Sequence, residues 1–220
     1  MSDPARLAAA TRAVALVADG MRLGLGTGRA AAQVIRLLGL RVRAEGLRIS
    51  CVATSQQTEA LAREAGLVLA EDAAPVDLAI DGADQIERRT LRLIKGGGGA
   101  LLREKIVAET ATRFVVVAEI GKLVDRLDFP LPVEIVPFAA GLTQARVAAL
   151  GGAPRLRDGA LTDNGNLLLD CAGFAPIRDP FTLERQLRAI AGVVATGLFT
   201  VPVACAFLGH DDGTVEERRP

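Results

Sequence analysis

The sequence predicts an α/β protein: a mostly parallel, doubly wound sheet with a small inserted α+β domain. Three observations lead there. From Met21 to Ala118 short apolar runs alternate with helix-like segments, the pattern of a parallel sheet covered on both faces. Three unusual turns, Gly24–Gly28, Asp81–Asp84 and Lys95–Gly99, each follow such a run, where an open sheet collects its ligands. Beyond Phe129 the texture changes to proline-punctuated strands and an Asn-Gly turn.

Ala8 to Val17 is alanine-rich with helical spacing. Met21 to Leu25 is a short apolar run entering Gly24-Leu25-Gly26-Thr27-Gly28, and Ala30 to Leu38 returns to helix. Leu47 to Ala53 reads as a strand, Ser55 to Ala65 as a helix, and Val76 to Ile80 as a buried strand ending at Asp81. Leu91 to Ile94 is a short strand before the glycines, Ala100 to Thr110 a helix, and Phe114 to Ala118 an uninterrupted apolar strand. If these strands run parallel, the three turns converge on one edge and make one site. Pro130, Pro132 and Pro137 then punctuate the strand Leu131–Val136, and a helix follows from Ala139 to Leu150. Thr162 to Asp170 contains the hairpin signal, Phe181 to Ile190 is helical, and Val193 to Phe199 is a strand. This β-α-β-β-α-β order suits a small α+β module. Val201 to Leu208 is a strand that returns to the main sheet.

The 220 residues are half apolar with positive mean hydropathy, enough for a sizeable core. Lys plus Arg equals Asp plus Glu, which argues against nucleic acid or an anionic membrane as the main partner. Cys51, Cys171 and Cys205 are far apart in apolar runs and read as buried thiols in a reducing compartment, not as disulfides or a zinc site. Met1 to Gly20 carries polar and charged residues throughout and is not expected to act as a secretory signal, and no window reaches the roughly 18 apolar residues of a membrane helix. A soluble, cytoplasmic protein is expected. His210 is the only histidine and lies in a polar tail, so acid–base chemistry rests on carboxylates and lysines.

The segment Lys95-Gly96-Gly97-Gly98-Gly99-Ala100-Leu101-Leu102-Arg103-Glu104-Lys105 carries most information. Four glycines lose backbone entropy and pack nothing, so they are a flexible loop or a close approach of ligand to main-chain N–H groups at a helix start. Asp81 and Asp84 flank a Gly82-Ala83 turn. They are either a solvated turn with a cap or a pair that bonds sugar hydroxyls and passes protons. Lys95 neutralises that pair or stabilises a developing oxyanion. Glu104, early in the next helix, is the candidate general base; its plainer reading is a favourable first-turn acid. Gly26-Thr27-Gly28 with Ala31 fits the GxGxxA dinucleotide pattern, with Glu45 as ribose carboxylate, but the same turn serves a smaller phosphate, to which Arg29 adds charge. Together these groups suit proton abstraction beside the carbonyl of a small phosphorylated sugar.

Several blocks resemble ribose-5-phosphate isomerase of the A type: Gly24–Gly28, Thr54-Ser55, Asp81–Asp84, Lys95–Val107, Phe129–Pro137, Thr162–Asp170 and Gly192–Phe199. They run in order from about residue 20 to 208. The resemblance implies interconversion of ribose 5-phosphate and ribulose 5-phosphate through an enediolate, in the pentose phosphate pathway, with neither metal nor other cofactor. It implies Glu104 as proton shuttle, Asp81 in ring opening, Asp84 hydrogen-bonding nearby, and Lys95 with the amides of Gly96, Gly97 and Gly98 at the negative oxygen. It places Thr27, Gly28, Arg29, Ala30, Gly82, Ala83 and Lys122 at the phosphate or sugar edge. It also implies a homodimer or homotetramer, and a catalytic domain of 1–128 plus 201–220 with 129–200 as the smaller domain.

Three positions depart from the family pattern. Arg29-Ala30 replaces Ser-Thr, removing two hydroxyl donors to phosphate and offering a charged one. Gln85 replaces Glu after the second aspartate, and Glu119-Ile120-Gly121 is unusual before Lys122. Other functions read from the sequence are a nicotinamide-dependent oxidoreductase built on Gly26–Ala31, a sugar-phosphate sensor, and an isomerase of a different aldose phosphate. The first leaves Lys95–Glu104 without a role; the second lacks a basic DNA-binding segment.

Overall fold

The alternation of apolar runs and helices folds, in a computed structural model, into fifteen strands and six α-helices among the described residues, 3–70, 75–159 and 161–220. In chain order come α1 (Asp3–Val14), β1 (Arg22–Leu25), α2 (Arg29–Glu45), β2 (Ser50–Ala53), α3 (Gln56–Glu64), β3 (Val68–Leu69) and β4 (Leu78–Asp81). Next are β5 (Gln85–Glu87), β6 (Leu93–Ile94), α4 (Leu101–Thr110), β7 (Arg113–Glu119), a 3₁₀ turn (Ile120–Lys122) and β8 (Leu123–Val124). Then follow β9 (Leu131–Ile135), α5 (Ala140–Ala149), β10 (Ala153–Leu156), β11 (Leu167–Ala172) and α6 (Pro180–Arg188). The remaining strands are β12 (Val193–Thr196), β13 (Leu198–Phe199), β14 (Cys205–Gly209) and β15 (Val215–Arg218).

The chain divides into two compact units. Met1–Ala83, Arg103–Leu123 and Val201–Pro220 form one, Asp84–Leu102 and Val124–Thr200 the other. The division expected from sequence, at residue 129, differs in assigning 84–102 and 124–128 to the first. Strand pairing explains the difference: β6 pairs antiparallel with β13, Leu198 opposite Ile94, and with β5, instead of joining the parallel sheet.

The first unit is built on a seven-stranded sheet of order β15-β14-β7-β4-β1-β2-β3. Every neighbouring pair is parallel except β14–β15. As expected, β14 returns to this sheet, with Cys205 opposite Val115. Side chains alternate along each strand, so one face carries Leu23, Leu25, Ile80, Val115 and Val117 against Val34, Ile35 and Leu38 of α2 and the alanines of α1. Each fully buried Leu, Ile or Val there contributes about 1.5–3 kcal/mol. The opposite face presents Gly24 and Ala79 to Val107 of α4. A Cβ on Gly24 would stand 2.3 Å from Val107 Cγ1, so glycine is what lets the helix lie close. Helices on both faces make the sheet doubly wound.

The second unit contains the module β9-α5-β10-β11-α6-β12, whose antiparallel sheet has the order β10-β11-β9-β12. This is the element order expected from sequence. Its core gathers Leu131, Val133, Ile135 and Leu169 with Val147 of α5 and Leu187 of α6. The run Val193–Phe199, read as one strand, is two strands in two sheets. Gly197 makes the break: its N–H donates to Pro132 O at 2.7 Å and its carbonyl accepts from Lys95 N–H at 2.9 Å. A Cβ there would lie 2.3 Å from Lys95 O.

All three cysteines are buried and unpaired. Burial pushes the Cys51 and Cys171 thiols up to about 12. Among the described residues no helix is long and apolar enough to cross a membrane.

Candidate active site

In the first unit the chain leaves β1 toward β2 on one side and β4 toward β7 on the other, so β1 and β4 flank a topological switch point. The turn after β1 is stitched to the end of β4, since Gly26 N–H donates to Ile80 O at 3.0 Å. Asp81 closes β4 and is only 4 % exposed. Its Oδ1 accepts from Thr27 N–H at 3.2 Å and from Gly82 N–H at 2.7 Å. The space a side chain on Gly26 would need is taken by this carboxylate: a Cβ would be 1.9 Å from Asp81 Oδ1. Gly26 is thus explained by Asp81 and not by a dinucleotide. Nor does Glu45 serve a ribose; it ends α2 in a bond to Arg41 at 2.8 Å, which lowers its pKa from the ordinary value.

Thr27 Oγ1 lies 2.8 Å from Thr54 Oγ1, 2.8 Å from Ser55 Oγ and 3.1 Å from Thr58 Oγ1. Thr58 in turn donates to Gly26 O, so the hydroxyls lock the turn from beneath. Gly28, at φ 105°, caps α2 without any side-chain bond. The first N–H groups of a helix lack intrahelical partners, and this end favours anions. Arg29 and Ala30 open α2, Arg29 exposed and Ala30 half-buried. Gly82 and Ala83, half-buried, continue from Asp81.

Glu104 sits in the first turn of α4 and is 4 % exposed. Only residues 111–112 separate α4 from β7, and Val107 rests on mid-strand Gly24, so α4 runs back from the carboxyl edge of the sheet. The first turn carrying Glu104 is therefore at the edge where Asp81 and Thr27 stand. Lys122, half-buried, ends the 3₁₀ turn that follows β7, the neighbour of β4. Glu119 before it pairs with Arg6 of α1 at 2.6 Å, which gives that departure a structural role.

The second unit holds the other residues singled out in the sequence. Asp84 N–H donates to Ile94 O at 2.8 Å, and its Oδ2 accepts from Gly97 N–H at 2.7 Å. Asp81 and Asp84, close in sequence, are thus bound to different turns. β6 belongs to an antiparallel sheet, so Lys95–Gly99 does not follow a parallel strand as expected, and only the first two turns leave strands of the parallel sheet. Gly96 and Gly99 adopt φ of 103° and 81°, which favours glycine, and Gly99 N–H closes a turn onto Gly96 O at 3.0 Å. A Cβ at Gly97 would be 2.7 Å from Asp84 Oδ1. The four-glycine run is a built turn rather than a flexible loop. Lys95 is 3 % exposed, with Nζ 5.4 Å from the centre of the Phe199 ring. Gln85 donates to Asp128 Oδ1 at 2.5 Å and accepts from the N–H groups of Asp128 and Phe129, a double grip that a Glu there could not make with Asp128.

Sequence reasoning did not single out Thr58, Glu134 or Arg157. Glu134 is fully buried and its Oε1 accepts from Thr162, Asn164 and Asn166, fixing the Asn-Gly turn. A carboxylate inside the apolar strand Leu131–Ile135 was the available signal. Arg157 bonds Asp170 and the carbonyls of Gly96 and Gly97; no local pattern marked it. Among the described residues no group of three or more His, Cys, Asp or Glu is arranged to hold a metal ion.

A doubly wound sheet with carboxylates at its switch point defines an α/β enzyme class whose ligands sit beyond the carboxyl ends of the strands. Within it, the model of ribose 5-phosphate isomerase A (phosphoriboisomerase A) matches residues 50–213, and the chain belongs to that isomerase family. It is 48 % identical to ribose-5-phosphate isomerase A of Methanosarcina acetivorans, over 97 % of this chain and 94 % of that one. The enzyme of Roseiflexus castenholzii is 50 % identical, over 98 % and 95 %. The solved ribose 5-phosphate isomerase A of Methanocaldococcus jannaschii superposes with a TM-score of 0.95 at 40 % identity, covering 100 % of both chains. A D-ribose-5-phosphate isomerase in complex with phospho-erythronic acid matches at TM-score 0.94 and 34 % identity, again over 100 % of both.

Proposed function

We propose that this chain interconverts D-ribose 5-phosphate and D-ribulose 5-phosphate by proton transfer through an enediolate, without a metal. The observation that carries the reading is Glu104: a buried carboxylate in a helix first turn, directly after a glycine turn and at the edge where Asp81 stands. Asp81 assists opening of the furanose ring and relays hydroxyl protons. Glu104 removes the proton from carbon 2, and the electron pair moves onto the carbonyl oxygen at carbon 1. The same proton returns to carbon 1 while the O2 proton passes to O1, leaving the ketose. Lys95 and the amides of Gly96 and Gly98 stabilise the negative oxygen, while the Gly97 amide, expected beside them, is held by Asp84 and orients that turn. The phosphate is taken by the start of α2, with Gly28, Arg29 and Ala30, and by Lys122.

The phospho-erythronic acid bound by the similar enzyme supports this reading, because its carboxylate carries charge where an enediolate would. Assembly as a homodimer or homotetramer, residence in the cytoplasm and a place in the pentose phosphate pathway belong to the same proposal.

The test is a chelator-treated assay of ribulose 5-phosphate formation, wild type beside Glu104→Gln. Wild-type turnover unaffected by EDTA and a loss of about 100-fold or more in the variant are expected, the range general-base removal costs. A near-wild-type rate in Glu104→Gln would remove the base assignment, and activity restored only by a divalent ion would contradict the metal-free scheme.

A further inference from the structure

Arg157 follows β10, and its N–H donates to Leu168 O at 2.8 Å, continuing the pairing with β11. Asp170 is its diagonal neighbour on the same face of that pair, because Asp170 stands opposite Arg155. One edge of the guanidinium is consumed there: Nε donates to Asp170 Oδ2 at 2.8 Å and Nη2 to Oδ1 at 2.5 Å. The remaining nitrogen, Nη1, donates to Gly96 O at 3.0 Å and reaches Gly97 O at 3.3 Å. The bonds to Asp170, with the negative field of Asp84 adding to them, hold the guanidinium above its ordinary pKa. A lysine could not make this arrangement, since it lacks a planar fork with a third nitrogen to spare.

A trans peptide is planar and points its C=O and N–H in opposite directions. Arg157 grips the carbonyl end of the Gly96–Gly97 peptide, and the other end donates from Gly97 N–H to Asp84 at 2.7 Å. That peptide is pinned at both ends. The Gly97–Gly98 peptide is gripped at its carbonyl end, so the Gly98 N–H leaves the turn on the side away from Arg157. A cation at the carbonyl end also polarises each amide, making its N–H a stronger donor.

We infer that Arg157, locked by Asp170, is a positioning residue of the isomerase: it holds the Gly96–Gly97 peptide against Asp84 and, through the Gly97 carbonyl, orients and polarises the Gly98 N–H for the oxygen that becomes negative. This rests on the reading of that turn as the oxyanion site. Arg157 acts through the glycines and touches no reacting atom.

The test compares Arg157→Gln, Arg157→Lys, Asp170→Asn and the Arg157→Gln/Asp170→Asn double variant with wild type and Glu104→Gln. The readouts are kcat, KM for ribose 5-phosphate, affinity for phospho-erythronic acid, and Tm. A fall in kcat of about tenfold or more is expected in each single variant, below the 10²–10³ that losing an oxyanion donor outright costs. KM should stay within about twofold, affinity for the acid should fall in step with kcat, and the double variant should be no worse than the poorer single one. Asp170→Asn keeps the test open if Arg157→Gln does not fold, because Asp170 bonds only the arginine side of the clamp. Unchanged kcat and acid affinity with a lowered Tm would make Arg157 a structural strut and overturn the inference. Should the wild type itself fail to isomerise, or Glu104→Gln retain full rate, the catalytic reading falls; full activity in the Arg157 set beside a dead Glu104→Gln removes only the clamp.

Discussion

Gly26→Ala isolates the placement of Asp81 without touching its chemistry. Gly26 does not have a positive φ, so alanine brings no backbone strain at this position. Its methyl would stand 1.9 Å from Asp81 Oδ1 and 2.0 Å from Cγ, far inside contact distance. The carboxylate must swing away, and its Oδ1 then leaves Thr27 N–H at 3.2 Å or Gly82 N–H at 2.7 Å. A hydrogen bond to a charged group is worth about 1.5–3 kcal/mol. At about 1.4 kcal/mol per tenfold, loss of one such bond from the working geometry lowers kcat/KM by roughly 10- to 100-fold. Overpacking adds about 1–3 kcal/mol of destabilisation, a Tm lower by several degrees for a chain of this size. The assay is steady-state isomerisation of ribose 5-phosphate at a temperature where far-UV circular dichroism shows the variant folded. An Asp81→Gly background removes all three Asp81 atoms that the added methyl would meet, Oδ1, Cγ and Cβ, so Gly26→Ala should there cost little more. Two results would refute the reasoning: kcat/KM within twofold of wild type in the single variant, or an undiminished extra loss in the Asp81→Gly background.

Arg29→Ala should raise KM for ribose 5-phosphate by about three- to tenfold with kcat little changed, since Arg29 stands exposed at the start of α2 as a charged donor; an unchanged KM would leave Arg29 as a solvated surface residue. The buried thiols predict alkaline instability. Their unfolded pKa is 9.0 and burial pushes the folded values of Cys51 and Cys171 up to about 12, so between pH 9 and 12 the unfolded chain has shed protons the folded chain keeps. Stability must then fall as pH rises, by about 1.4 kcal/mol per unit per thiol. Urea unfolding from pH 8 to 11 should show the slope, and Cys51→Ala should shed about one thiol's share of it; an identical slope in that variant would exclude Cys51 as its source.

What was legible in the sequence and what was not follows from the range of each interaction. The parallel strands announced themselves because β7, buried on both faces, must be apolar at consecutive positions from Phe114 to Ala118. The βαββαβ module was equally plain, since each element buries a face set by its own periodicity. The assignment of β6 failed because a two-residue strand has no period to read, and its neighbour β13 is more than a hundred residues further along the chain. Val193–Phe199 read as one strand for a related reason: the break at Gly197 is imposed by Lys95 and Pro132, from two other segments. The site shows the same division. Glu104, Asp81 and Lys95 could be chosen locally, as ionisable residues beside glycine turns. Arg157 could not, because its meaning lies in four bonds, two to Asp170 and one each to Gly96 and Gly97, the last two residues about sixty positions distant. Groups proposed to meet the substrate are constrained by chemistry and leave a motif. Groups that hold those in place are constrained by geometry alone and become visible only when the chain is folded.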